Sequence, residues 1–400
     1  MNSWQRFLRT HRPVCVVYEM GRWLGHKILG LGRQQTPVWY GFDQKPLPTA
    51  RETLPISPAW YRICRPLYRR ENIYYNLDNA LAVNPNIKGI ALVFFMGIGD
   101  YLYTTPMLEA LKQKYPQLPF YGYVGAQVDR NNSPVVGKLL EQNPCIEKVF
   151  YFQGMRHPFI WKNYDYSDAL RQIPDGFLVM PVYYDYNVQV SHRVYSLFET
   201  FGLPQPAQLP APNLYFPSVA APAVGAYLSE ISNKATGKKG IVFLQLDSRS
   251  SNYTYPYVHS LAEQVITLGY LVLSVTKGGP LENPNYVEID IKRLSINDTW
   301  HLLSQLKPNF SIYVISVISV FWAASAGLGL PNLGLHHWID PKVHNVWYPN
   351  IEVVTHHLYP KLPRERQILA PKESYTRHNH KMVDYKPDWV VKWFQEKIEK

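Results

Sequence analysis

Residues 90–111 read IALVFFMGIGDYLYTTPMLEAL, and this stretch decides the fold class. Its first six residues form a continuous apolar run, which is typical of a strand buried on both faces of a parallel sheet. A glycine-containing turn follows, and Leu108, Leu111 and Tyr115 then recur at helical spacing, with Pro106 near the predicted first turn of that helix. The order strand, tight turn and helix predicts an α/β unit.

The same alternation continues along the chain in two series. In the first, we expect strands at 120–124, 148–152 and 177–180 and helices at 135–142 and 194–201. In the second, we expect strands at 241–246, 271–275 and after Pro331, and helices at 224–232, 258–268, 298–306 and 320–328.

Six prolines within residues 203–223 predict a linker between the two series, because such density interrupts regular structure. The sequence therefore predicts two Rossmann-like domains, at residues 85–220 and 221–365. They are preceded by a basic extension at residues 1–84 and followed by a tail at 366–400 that ends in an aromatic helix.

Composition excludes several classes of protein. Hydrophobic residues make up 46% of the chain and charged residues 18%, which excludes general disorder, and no apolar stretch is long enough to cross a bilayer. The three cysteines, Cys15, Cys64 and Cys145, are far apart and predict neither a disulfide framework nor a zinc site. Histidines are frequent in the last third, but without helical spacing beside a carboxylate they predict no metal site.

The net charge of +11 lies at the two ends of the chain. Residues 1–84 hold 12 Lys and Arg against 5 Asp and Glu, and residues 361–400 hold 10 against 6, so the flanks carry +7 and +4 and residues 85–360 are neutral. This distribution favours an anionic membrane surface or an acidic partner over a nucleic-acid groove. A solvated basic surface without a partner explains it equally well.

The turn after the first strand holds the candidate chemistry. Gly97 and Gly99 let backbone N–H groups approach a ligand, but Leu102 stands where a dinucleotide-binding motif requires a third glycine, which disfavours a nicotinamide or flavin enzyme. Asp100 follows at the mouth of the sheet. It is either a general base toward a hydroxyl or a cap of the next helix.

Three stretches of the first half resemble glycosyltransferase family 9, the ADP-heptose:lipopolysaccharide heptosyltransferases: residues 97–111, 139–152 (LLEQNPCIEKVFYF) and 192–204 (HRVYSLFETFGLP). The Gly-Asp step at Asp100 and the Thr-Thr-Pro helix start that ends at Pro106 carry the most specific similarity. In the second half, residues 295–307 and 319–331 resemble the donor-site helices of that family.

The resemblance implies a GT-B fold, in which two Rossmann-like domains face a cleft. It also implies inverting, metal-independent transfer of a sugar from a nucleotide-diphosphate donor to a cell-envelope glycan or lipid-linked acceptor, with no cofactor besides the donor. Asp100 would be the catalytic base, and the acceptor would contact Gly97, Gly99, Thr104 and Thr105. We expect a cytoplasmic protein, in peripheral contact with the inner face of the plasma membrane and without a nucleic-acid partner.

The second half departs from the family pattern. The family's Asp-Ser-Gly-x-x-His run reads Ile318 to Ala323 here and keeps only Ser319, and the Lys of its Lys-x-Trp-Pro segment falls on Tyr253. The remaining candidates for donor binding are Ser319, Arg249, Lys277, Gly278 and Glu282. These departures leave one alternative open, a catalytically degenerate scaffold that binds a nucleotide sugar or glycan. A protein glycosyltransferase is a second alternative, because some relatives of the family resemble protein heptosyltransferases.

Overall fold

The structure is a computed structural model that describes residues 77–94, 97–125, 133–152, 155–156, 164–165, 172–182, 192–247, 254–275, 281–317, 319–336, 348–355, 367–369 and 385–398. These residues divide into two compact units. The first unit takes in residues up to 98, 107–187 and 195–205, and the second takes in 99–106, 188–194 and everything from 206 onward.

The first half of the chain contains four helices and six strands among the described residues. In chain order they are α1 (Leu77–Val83), β1 (Gly89–Phe94), α2 (Ile98–Lys114), β2 (Phe120–Gly125), α3 (Ser133–Glu141), β3 (Lys148–Phe152), β4 (Met155–Arg156), β5 (Tyr164–Asp165), β6 (Phe177–Val182) and α4 (Arg193–Thr200).

Four of these strands form a parallel sheet in the order β3-β2-β1-β6. Every residue of β1 is buried, as its continuous apolar run predicts, and β1 pairs with β2 on one side and β6 on the other. The short strands β4 and β5 form a separate antiparallel pair. Chain order reverses between β1 and β6, which creates a topological switch point in this sheet.

The second half contains five helices and seven strands among the described residues. They are α5 (Pro222–Ala235), β7 (Ile241–Gln245), α6 (Val258–Thr267), β8 (Leu271–Ser274), β9 (Tyr286–Glu288), α7 (Ile296–Leu306), β10 (Ile312–Val317), α8 (Val320–Leu328), β11 (Asn332–Leu335), β12 (Ile351–Thr355), β13 (Gln367–Leu369) and α9 (Pro387–Lys397).

All seven strands of the second half are parallel and follow the order β13-β12-β11-β10-β7-β8-β9. Counted from β7, this is the doubly wound order 3-2-1-4-5-6 with one more strand at the β13 edge. The switch point lies between β7 and β10, which pair from Ile241 with Ile312 to Gln245 with Ser316.

The aromatic helix predicted for the tail is confirmed as α9. Its Phe394 is fully buried, and the ring meets Tyr270 and Tyr313 edge-on at centroid distances of 5.5 and 5.6 Å. Edge-to-face packing of this kind stabilises aromatic clusters beyond the area that they bury. Helix α9 therefore belongs to the core of the second unit.

The strands and helices predicted for both series are confirmed, with ends shifted by a few residues. The sequence prediction omitted α1, β4, β5, β9, β10, β12 and β13, of which β10 is a central strand. Helix α1 lies within the predicted extension, and its Asp78 accepts hydrogen bonds from Lys114 and Tyr115 of the first unit, each at 2.6 Å. The rest of that extension, residues 1–76, lies outside the described residues.

Residues 201–221 contain neither helix nor strand, as the proline-rich linker predicts. In the described ranges, no helix is both long enough and apolar enough to cross a bilayer.

The predicted start of α2 near Pro106 is wrong, because the helix begins at Ile98 and holds Pro106 in its interior. A proline there cannot donate to the carbonyl oxygen of Leu102. The hydroxyl of Thr105 donates to that oxygen instead, at 2.9 Å, so the helix continues without an unsatisfied acceptor. The Thr-Thr-Pro sequence therefore lies inside the helix and does not mark its start.

Candidate functional site

At the switch point of the first sheet, two neighbouring strands are each followed by a helix. Helix α2 follows β1 and helix α4 follows β6, and these two strands are neighbours with parallel register. Carboxyl ends of adjacent parallel strands lie at one sheet edge, which is where doubly wound folds bind ligands. The first turns of α2 and α4 are therefore the natural place for functional side chains.

Asp100 and Arg193 come from these two first turns and form an ion pair. Nη1 of Arg193 donates to Oδ1 of Asp100 at 2.5 Å. The Arg193 side chain is 5% exposed and the Asp100 side chain is 24% exposed, so the cation is buried while the carboxylate keeps an open side. Asp100 lies in the first turn of α2, where the helix dipole also favours negative charge.

Asp100 is not the N-cap residue of α2, because that residue is Gly97 and Asp100 lies three residues farther on. Asp298 holds the same position in α7 and caps that helix from there, so the capping alternative for Asp100 stays open. Gly97 has an extended backbone and no side chain with which to cap the helix. The amides of the first turn of α2 are therefore not capped from that position, and they are suited to an anion.

Arg193 lies beside a cluster of three rings in the second unit. Its guanidinium carbon lies 5.7 Å from the centre of the Tyr103 ring, and Tyr103 stacks on Tyr348 with 6.2 Å between centroids. His192 meets Tyr348 edge-on at 5.0 Å. Burial raises the pKa of Tyr103 above its ordinary value, although the charge of Arg193 acts against this, and burial also raises the pKa of Tyr348. Both phenols are therefore neutral at neutral pH.

Thr104 and Thr105, predicted to contact the acceptor, are both fully buried. Thr104 donates to the carbonyl oxygen of Tyr101 at 2.6 Å, and Thr105 donates to Leu102 and accepts from the amide of Asn213 at 2.8 Å. These bonds give both hydroxyls a role within the fold, and their contact with an acceptor stays a prediction.

The switch point of the second sheet brings Gln245 and Ser319 together. Gln245 ends β7, and its Oε1 accepts a hydrogen bond from the Ser319 hydroxyl while its Nε2 donates to the carbonyl oxygen of Asp247 at 2.5 Å. Ser319 is the N-cap of α8 and accepts from the amide of Phe321 at 3.1 Å. The predicted donor residue Ser319 is thus the cap that fixes the start of α8.

Gly99 lies against the first turn of α8. A Cβ atom at Gly99 would stand 3.4 Å from the Cα atom of Val320, which is the near limit of ordinary van der Waals contact. An alanine at this position would therefore touch the first turn of α8 without a clash. Both residues belong to the second unit, so this contact joins Gly99 to the N-terminal turn that Ser319 caps.

Of the other donor candidates, only Glu282 lies within the described residues. Glu282 is exposed in the segment between β8 and β9, and Arg249, Lys277 and Gly278 lie outside the described residues, as do Tyr253 and Ile318. Ala323, which stands at the position of the family's histidine, is fully buried in α8. Within the described ranges, no three His, Cys, Asp or Glu side chains lie close enough to hold a metal ion; the metal-independent mechanism stays a prediction.

Sequence reasoning missed Arg193, His192 and Gln245. One signal was available for Gln245, because it is a polar residue at the end of an otherwise apolar strand. His192 and Arg193 stood in a stretch that resembles family 9, but nothing in the sequence linked them to Asp100.

The chain is similar to two solved structures at the level of fold. A family 9 glycosyltransferase from Veillonella parvula is 13% identical with a TM-score of 0.52, and the match covers 77% of this chain and 96% of that one. The ADP-heptose LPS heptosyltransferase II of E. coli is 14% identical with a TM-score of 0.51, over 77% of this chain and 98% of that one. The chain has the fold of glycosyltransferase family 9.

The predicted resemblance to family 9 is thereby confirmed for the fold. No protein-family model matches the sequence, and no curated protein matches it significantly. Two parallel α/β units with the family 9 fold are consistent with a GT-B architecture, and the cleft between them stays a prediction.

Proposed function

We propose that the chain is a glycosyltransferase that moves a sugar from a nucleotide-diphosphate donor to a cell-envelope glycan or lipid-linked acceptor, with Asp100 as general base. The observation that carries the proposal is the carboxylate of Asp100 in the first turn of α2, which is partly exposed and bound by a buried arginine at a sheet switch point. The family 9 fold supports it independently.

In the proposed reaction, Asp100 takes the proton of an acceptor hydroxyl as that oxygen attacks the anomeric carbon of the donor. The bond from the anomeric carbon to the diphosphate breaks on the opposite face, so the configuration inverts. The reaction requires no metal, because the departing diphosphate is stabilised by amides and cations of the protein.

The N-terminus of α8 is the proposed place for that diphosphate. Ser319 holds this terminus in position through Gln245, and amides at a helix N-terminus favour phosphate charge. Arg249 and Lys277 are the proposed cations, and Gly278 and Glu282 complete the proposed donor site. As first donor we name ADP-heptose, because the E. coli protein of similar fold is an ADP-heptose LPS heptosyltransferase.

The acceptor side of the proposal rests on Gly97, Gly99 and the charge of the flanks. Gly97 has no side chain with which to cap the first turn of α2, and the backbone amides there favour an anionic acceptor. The +7 of residues 1–84 and the +4 of residues 361–400 suit an anionic membrane or a phosphorylated lipid-linked glycan at the cytoplasmic face.

The test compares wild type with Asp100→Asn, using ADP-heptose and lipopolysaccharide from a heptose-deficient strain. Loss of a general base lowers the rate about 10²- to 10⁴-fold, and we expect Asp100→Asn to fall in this range. Asp298→Asn is the matched control, because Asp298 holds the same helical position in α7 and serves a capping box there. If Asp100→Asn transfers sugar at the wild-type rate, Asp100 is not the general base.

One observation favours a non-catalytic alternative, namely the buried Ala323 in place of the family's histidine. A binding scaffold would retain affinity for a nucleotide sugar and lack transfer. Thermal shift with a panel of nucleotide sugars detects binding, since a ligand at 100 times its Kd stabilises the fold by about 2.7 kcal/mol, and a transfer assay with the same panel then separates the two. The scaffold is favoured if at least one nucleotide sugar binds saturably and none of the panel supports transfer.

A further inference from the structure

We propose that Arg193 is a positioning residue for Asp100, which holds the carboxylate in one orientation and in its charged form. The inference rests on the proposed function, in which Asp100 is the base. It adds a residue that the sequence did not single out, and it explains why the first turn of α4 lies beside the first turn of α2.

The geometry of the pair is asymmetric in the way that a positioning role requires. Arg193 is 5% exposed and Asp100 is 24% exposed, and their atoms Nη1 and Oδ1 are 2.5 Å apart. A buried guanidinium is costly unless it is paired, so the arginine stays with its carboxylate. The carboxylate keeps an exposed side from which a hydroxyl can approach.

Helix α2 supplies both the base and part of the support for its partner. Tyr103 lies three residues after Asp100, on the same face of the helix, and its ring is 5.7 Å from the guanidinium carbon of Arg193. Tyr348 stacks on Tyr103, and His192 meets Tyr103 edge-on at 6.4 Å. These rings restrict where the guanidinium can move, and therefore restrict the carboxylate that it binds.

The ionisable neighbours of the pair include Tyr103, Tyr348 and His192. Burial keeps both phenols neutral at neutral pH, and their raised pKa values place their ionisation far above the range in which a carboxyl titrates. His192 is retained in every variant below, so its contribution is common to all of them. A nearby opposite charge lowers the pKa of a carboxyl by about 1–3 units.

The first experiment follows the titration of Asp100 in the full chain by NMR, with ¹³C-labelled aspartate and assignment by the signal missing in Asp100→Asn. We expect Arg193→Met to raise the pKa of the Asp100 carboxyl by about 1–3 units. The control, Lys114→Met, removes the ion pair with Asp78 at the other end of α2 and leaves the Asp100 signal unchanged. A shift of less than about half a unit in Arg193→Met would overturn the inference.

The second experiment uses Arg193→Lys, which keeps the charge and loses the planar guanidinium. We expect its Asp100 titration to stay near that of wild type, while kcat for transfer from ADP-heptose to lipopolysaccharide falls about tenfold or more through loss of orientation. Wild-type kcat in this variant would contradict the orienting role. Far-UV circular dichroism confirms that each variant is folded.

A double variant separates action through Asp100 from a general structural effect. Adding Arg193→Met to Asp100→Asn should lower transfer no further, because a positioning residue has no effect once its target is removed. A further loss comparable with that of the single variant would overturn the inference. If wild type transfers no sugar at all, the proposed function fails, and the NMR titration still decides the relationship between Arg193 and Asp100.

Discussion

The hydroxyl of Ser319 donates a hydrogen bond to the side chain of Gln245, which joins the N-cap of α8 to the end of the neighbouring strand β7. The side-chain nitrogen Nε2 of Gln245 in turn donates a hydrogen bond to the carbonyl oxygen of Asp247. The start of α8 is therefore set by the sheet as well as by the helix's own cap.

Removing this hydroxyl should weaken both the fold and the donor site. Ser319→Ala loses the cap, and it leaves the buried Oε1 of Gln245 without its donor. A lost cap costs about 1 kcal/mol and an unpaired buried acceptor costs about 1–3 kcal/mol. We expect the free energy of unfolding to fall by roughly 2 kcal/mol, measured by urea denaturation, and ADP-heptose to bind more weakly in calorimetry.

Ser295→Ala is the control for this loss. Ser295 caps α7 with a capping box, but it lies in an exposed setting. We expect about 1 kcal/mol of destabilisation and unchanged donor affinity. Equal donor affinity in Ser319→Ala and Ser295→Ala would argue against a donor site at α8.

Thr105 should be important for stability, since its hydroxyl replaces the bond that Pro106 cannot make. Thr105→Val preserves the shape of the side chain and leaves the carbonyl of Leu102 and the amide of Asn213 without this partner. We expect a loss of about 1–3 kcal/mol in chemical denaturation. Thr267→Val removes an exposed hydroxyl bond to Glu263 in α6 and should change stability by less than about 0.5 kcal/mol.

Most of the fold was predictable from the sequence, because its buried parallel strands are continuous apolar runs bounded by turns. The central strand β10 was the main omission. Residues 312–328 read IYVISVISVFWAASAGL, in which strand and helix follow one another without a Gly or Pro between them. Periodicity cannot divide such a run, and only the pairing with β7 and β11 does so.

The site was predictable only in part, for a topological reason. Asp100 stands out because it follows a strand and a glycine turn. Arg193 is 93 residues away, and its pairing with Asp100 depends on β6 lying next to β1, which the sequence pattern does not specify. The same holds for Gln245 and Ser319, which the order of β7 and β10 brings together.

Gly334 should be intolerant of a side chain because Trp322 covers it. A Cβ atom at Gly334 would stand 2.5 Å from Cζ2 of Trp322, which is buried in the first turn of α8. Overpacking of this kind costs about 1–3 kcal/mol, and we expect Gly334→Ala to lower the thermal midpoint accordingly. Gly225→Ala in α5, where nothing lies within 4 Å of the new atom, should instead stabilise the fold by about 0.5–1 kcal/mol.

Cys145 should be unreactive in the native protein and should make stability fall at high pH. Burial raises the pKa of its thiol from 9.0 to about 11, so the folded chain keeps the proton over a range in which the unfolded chain releases it. This contribution is fully present below pH 9.0 and is lost as pH rises toward about 11. We therefore expect slow alkylation at pH 8, in a background of Cys15→Ser and Cys64→Ser, and fast alkylation in guanidinium chloride.

The pH dependence of Cys145 can be separated from that of the buried tyrosines, which titrate in the same direction. Cys145→Ala lacks the thiol and keeps every tyrosine, so its free energy of unfolding should fall less between pH 8 and pH 11 than that of wild type. Since one pKa unit corresponds to about 1.4 kcal/mol, the difference should approach 2 kcal/mol. Parallel pH profiles in wild type and Cys145→Ala would show that the thiol titrates alike in the folded and unfolded chains.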